Sequence, residues 1–123
     1  MGNEAGRNLD SGRCNVIIGP QAGCDLTSGC NNLLFGYYAG TNLTTGSDNI
    51  ALGQNAMSAN VVTGGCNIAL CLYAGNKITS GTHQIMIGHL AGACKSCAVE
   101  GTVLIGREAV SYTHLTLPTI YSV

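Results

Sequence analysis

Asn49-Ile50-Ala51-Leu52-Gly53 is the third of six copies of one arrangement. Asn15-Val16-Ile17-Ile18-Gly19 and Asn32-Leu33-Leu34-Phe35-Gly36 precede it. Asn67-Ile68-Ala69-Leu70-Cys71, Gln84-Ile85-Met86-Ile87-Gly88 and Thr102-Val103-Leu104-Ile105-Gly106 follow. Successive copies lie 17, 17, 18, 17 and 18 residues apart. A helix-pair repeat takes about 33–47 residues, roughly twice this period. One coil of a β-solenoid fits it. The chain therefore reads as all-β, a β-roll or β-solenoid with coils of about 17 residues.

The fuller consensus is Gly-x-x-Asn, an apolar triplet, Gly-x-x-Ala-Gly, and a short stretch ending in Thr or Ser before Gly, as in residues 29–46. The triplets are bulky or β-branched and bounded by turn residues, so each predicts a short strand. Leu26, Leu43 and Ile78, each followed by Thr, predict a second short strand per coil. Gly19, Gly36, Gly53, Gly88 and Gly106 close the triplets and fit tight corners. Asn15, Asn32, Asn49 and Asn67 open them, either as a stacked amide ladder or as plain turn residues.

Alternate side chains of a strand point to opposite faces. With the outer pair of each triplet filling the coil, the middle residues Ile17, Leu34, Ala51, Ala69, Met86 and Leu104 face outward. All six are apolar, and monomers rarely expose such a column. It is expected to be the axis of a parallel homotrimer. On that expectation Leu34→Asp or Met86→Asp abolishes assembly by placing unpaired charge on the axis.

Met1-Gly2-Asn3-Glu4-Ala5-Gly6 overlays Phe35-Gly36-Tyr37-Tyr38-Ala39-Gly40, so the chain is expected to begin inside a repeat. Residues 1–109 form the repeat region, expected to be a fragment open at both ends. Val110 to Thr119 break the pattern abruptly. These ten residues resemble the translation of a transposon-end sequencing adapter, GTC TCT TAT ACA CAT CTG ACG CTG CCG ACG. Residues 110–123 are accordingly expected to be a non-native tail, and Tyr112 and His114 carry no functional weight.

Charged residues are 9% of the chain and the net charge is −1, which argues against electrostatic binding of nucleic acid or of a membrane surface. No apolar run approaches the roughly 20 residues of a membrane span. Tyr37, Tyr38 and Tyr73 fall in the corner after the triplet, either covering the flank or exposed as contact residues. Cys94-Lys95-Ser96-Cys97 has no second cysteine pair or histidine pair to complete a four-ligand zinc site, so no metal or cofactor is expected. Seven cysteines are expected to be small apolar or turn residues, unpaired and suited to a reducing cytoplasm.

Gly46-Ser47-Asp48-Asn49-Ile50-Ala51-Leu52-Gly53 and Asn67-Ile68-Ala69-Leu70 resemble the head repeats of trimeric autotransporter adhesins, the YadA-like β-roll. The longer form in residues 29–46 is similar to repeats of bacterial surface and phage tail-fibre proteins. The resemblance implies a left-handed β-roll in a parallel trimer. It implies a non-enzymatic shaft or adhesive segment at a bacterial cell surface or on a virion, facing a host receptor. Autotransporters cross an oxidising periplasm, so the cysteine usage favours the phage fibre. Two other classes compete with this reading. A hexapeptide-repeat acyltransferase would use His83 or His89 as base, but its motif occurs once per coil here where that fold needs three. An ice-binding solenoid would present Thr27, Thr44, Thr63 and Thr79, which lack the regular outward Thr-x-Thr array.

Overall fold

The computed structural model describes residues 2–93, 100–109 and, as backbone, 120–121. Each triplet forms a strand: β1 Val16–Ile18, β2 Leu33–Phe35, β3 Ile50–Leu52, β4 Ile68–Leu70, β5 Ile85–Ile87 and β6 Val103–Ile105. They pair in parallel, in chain order, residue for residue from one coil to the next. The chain is thus a β-solenoid, with no helix among the described residues. A two-residue strand, β7 (Ile120–Tyr121), adds to β6 with Val103 opposite Ile120. This pairing is compatible with a non-native tail over residues 110–123. A sheet edge carries unpaired N–H and C=O groups and accepts an extended segment of almost any sequence. Residues 110–119, with Tyr112 and His114, and the Cys94–Cys97 pair lie outside the described residues.

After each triplet the chain turns through Gly-x-x-Ala. The alanine N–H donates back to the carbonyl of the residue closing the triplet, as in Ala39 to Gly36 at 3.1 Å and Ala91 to Gly88 at 3.1 Å. The third residue of each corner is left-handed, for example Tyr38 at φ 59° and Asn55 at φ 57°. The first residue has φ of 125–136° wherever it is a glycine following a strand. A Cβ on Gly36 would lie 2.8 Å from the Gly53 backbone, so coil-on-coil contact as well as φ selects glycine there.

The expected second strand does not form as a regular element. Among the described residues it is reduced to isolated bridge positions at Leu43, Val62 and Ile78, with Leu43 paired in parallel to Val62. Leu26, Leu43, Val62 and Ile78 are fully buried and form the far wall of the interior. Each coil contributes only a short ladder there, such as Thr27 N–H to Thr44 C=O at 3.0 Å and Thr63 N–H to Thr79 C=O at 3.0 Å. The glycines that follow turn the chain before a strand can extend.

A buried asparagine ladder joins the coils. Asn15 Oδ1 accepts the Asn32 N–H at 2.8 Å, and Asn32 Oδ1 accepts that of Asn49 at 2.9 Å. Asn49 and Asn67 continue it to Asn67 and Gln84, both at 3.0 Å. Each Nδ2 donates to a glycine carbonyl of the next coil: Gly29, Gly46, Gly64 and Gly81, at 2.8–3.0 Å. The asparagines therefore satisfy backbone groups that the corner would otherwise bury unpaired.

Candidate assembly surface

The asparagine ladder decides which way the strands face. With Asn32, Asn49 and Asn67 turned inward and fully or almost fully buried, period-two alternation sends the next residue out and the middle residue in. Leu34, Ala51, Ala69 and Leu104 are fully buried, Met86 nearly so, and Ile17 packs against the same core. The expectation that Ile17, Leu34, Ala51, Ala69, Met86 and Leu104 form an outward axis is therefore reversed. These residues are the near wall of each coil's own interior. The far wall already supplies bulky Leu26, Leu43 and Ile78, so a thin coil has room for one inward side chain per triplet.

What faces outward is wider than one column. Val16, Leu33, Ile50, Ile68, Ile85 and Val103 line the strand starts, and Ile18, Phe35, Leu52, Leu70, Ile87 and Ile105 line the strand ends. Val16 is 48% exposed and Phe35 52%, and the inner strands of the row are half-buried by their neighbours. No residue of either column is charged or polar. Both faces of the sheet are thus apolar, the pattern of strands that are covered on both sides. One sequence signal pointed this way. Alanine occupies the middle of two triplets, while the outer positions hold only Val, Leu, Ile or Phe.

The two margins of this face differ. At the strand starts lie Asn31, Asp48 and His83, with Cys14 and Cys66, all exposed and all at positive φ. At the strand ends the corner column runs Pro20, Tyr37, Gln54, Leu72, His89 and Arg107, apolar in three coils and polar or charged in the other three. Tyr37 meets Tyr38 edge to face, with ring centroids 4.4 Å apart. Hydrogen bonding with the Tyr37 side chain, ahead of desolvation, raises the Tyr38 phenol above its ordinary value, so it remains protonated at neutral pH. Tyr73 is also exposed.

The residues considered for other chemistry sit elsewhere. His83 Nδ1 lies 3.8 Å from Glu100 Oε1, a carboxylate the sequence did not bring to it. Both side chains are mostly in water, 63% and 77% exposed, where such a pair is weak. His89 is half-buried on the strand-end corner, a coil away from Leu72. The Thr27 hydroxyl donates to the Thr44 carbonyl at 3.2 Å and that of Thr44 to Val62 at 3.4 Å, so both serve coil stacking. Cys14, Cys24, Cys30, Cys66 and Cys71 are free thiols. Among the described residues, no group of three His, Cys, Asp or Glu is placed to hold a metal ion. Among the same residues, no helix is long and apolar enough to cross a membrane.

No protein-family model matches the chain, and neither does any curated protein or solved structure.

Proposed function

We propose that this chain is a non-enzymatic segment of an elongated homotrimeric fibre, either a bacterial surface adhesin or a phage tail fibre. Its role is to hold or form a receptor-contacting surface away from the cell or virion. The observation that carries the reading is the outward face of β1–β6, apolar across two columns and six coils. A surface of that extent marks an interaction site. Its regular coil spacing suits a rod that contacts a like rod along its length. The partner is first the chain itself, then a surface receptor. Five free thiols among the described residues support folding in a reducing compartment, which favours the phage fibre.

Light scattering after size exclusion, on the full chain across a dilution series, tests this. The expected result is a mass of three chains that falls on dilution, with a melting temperature that falls alongside it. A stable monomer at every concentration overturns the proposal.

A further inference from the structure

Among the described residues, one coil carries a cysteine at both margins of the apolar face. Cys66 stands at the strand-start margin, one residue before Asn67, and Cys71 closes β4 at the strand-end margin. Both are free and exposed. Cys14 shares the strand-start column, but glycine, Gly19, closes its strand. Cys71 also sits where the fold resists a side chain. Its φ is 108°, and Gly19, Gly36, Gly53, Gly88 and Gly106 hold the same corner in the other coils. Such strain persists where the surrounding structure has a use for it.

Within one chain the two thiols do not meet. Five steps of nearly extended chain carry Cys71 about 16 Å from Cys66. A disulfide needs Cα atoms about 4.4–6.8 Å apart. Between chains the outcome depends on symmetry, and here the inference rests on the trimer proposed above. Contacts around a closed threefold axis are heterologous, so the strand-start margin of one chain meets the strand-end margin of the next. The symmetry also holds the same coil of every chain at one height. Three sheets arranged as a triangle about 16 Å on a side each lie about 5 Å from its centre, half the spacing of about 10 Å between packed sheets. The outward side chains therefore fill the axis, and the margins converge at the vertices. Two sheets packed face to face would instead hold the same positions about 10 Å apart, beyond the reach of a disulfide.

We infer that Cys66 of each chain forms a disulfide with Cys71 of the next copy, closing the trimer into a covalent ring. The chain folds with its thiols reduced, and the ring closes in an oxidising exterior. The oxidant is a small-molecule disulfide such as oxidised glutathione. One cysteine thiolate attacks it and releases a first thiol, leaving a mixed disulfide. The second cysteine thiolate attacks that bond and releases a second thiol. Two protein thiols thus lose two protons and two electrons, and the oxidant takes up both.

Two variants of the full chain test this. Cys71→Gly restores the residue of the equivalent corners, and Cys66→Asn places the residue found at Asn31, which has φ 57°. Both variants should therefore be trimeric by light scattering. After exposure to oxidised glutathione, the unsubstituted chain should run as a covalent trimer on a non-reducing denaturing gel and as a monomer once reduced. Each variant alone should run as a monomer. The two variants refolded together in equal amounts should give covalent dimers and no covalent trimer, because a mixed ring holds one complete pair. A trimeric unsubstituted chain that gives no covalent trimer overturns the cross-link and leaves the fibre reading standing. So does a covalent trimer that persists in either variant, or a mixture that runs like the single variants. An unsubstituted chain that is not trimeric by light scattering overturns both.

Discussion

Asn49 shows how one residue joins three coils. Its Oδ1 accepts the Asn67 N–H, its Nδ2 donates to the Gly64 carbonyl, and its own N–H is held by Asn32. Asn49→Ala strands one donor and one acceptor in the interior, at about 1–3 kcal/mol for each group left unpaired. The urea midpoint should drop accordingly, and an unchanged midpoint would remove the ladder from the account of stability. Cys71 presents the opposite case. It stands at φ 108°, where the corners that follow the other strands have glycine. A side chain in such a region costs about 1–3 kcal/mol, and glycine's extra freedom in the unfolded chain returns about 0.4–1 kcal/mol of that. Cys71→Gly should therefore raise the urea midpoint, by up to about 2 kcal/mol of stability. A lower midpoint would mean that the thiol makes contacts worth more than the strain.

Coils two and three exchange volume between strand and corner, whereas β4 sets Ala69 beside Gly75 and lets Ile78 fill the space. In β2 the inward residue is Leu34, and Gly40 follows the corner alanine; a Cβ there would lie 2.8 Å from Leu34 Cδ2. In β5 Met86 faces Gly92 in the same way. In β3 the inward residue is only Ala51, and the corner position holds Met57, fully buried at φ 53°. Met57 fills what Ala51 leaves empty. Met57→Gly should cost about 2–5 kcal/mol as a cavity, less what the release of its positive φ returns. Ala51→Leu should cost about 1–3 kcal/mol by overpacking. The double substitution recreates the arrangement of β2 and should recover most of both losses. A double-mutant cycle measured by urea unfolding checks this. Additive losses, with no coupling beyond about 0.5 kcal/mol, would separate the two positions.

In the proposed trimer, assembly and folding depend on opposite faces of the same strands, which gives a clean contrast. Ile68 faces outward, so Ile68→Asp should leave the coil folded and abolish the proposed trimer by leaving a charge unpaired at its interface. Leu34 faces inward among Leu43, Ala39 and Ala51, so Leu34→Asp should abolish the fold itself. Circular dichroism with light scattering separates the outcomes. Folded monomers from Leu34→Asp and unfolded chains from Ile68→Asp would restore the opposite orientation of the sheet.

The period, the six strands, the corner glycines and the class of fold were all legible along the chain, because each depends on spacing and on residue types with strong local preferences. The asparagine column was legible as a column. Its direction was not, because a turn asparagine and an inward asparagine leave the same mark in a sequence. That one ambiguity carried through the alternation of the strand and placed Leu34 and its equivalents on the wrong face. Only the closed coil resolves it: the far wall of Leu26, Leu43, Val62 and Ile78 leaves room for a single inward residue per triplet, and buried glycine carbonyls need the amide beside them. The second strand failed for a similar reason, since Leu43 and Ile78 are buried whether or not the backbone around them is extended. The margins of the apolar face, polar at Asp48 and mixed along Tyr37, Gln54, Leu72 and Arg107, arise only when coils stack. Residues about 17 apart then become neighbours, and a surface forms from positions that no single repeat holds together.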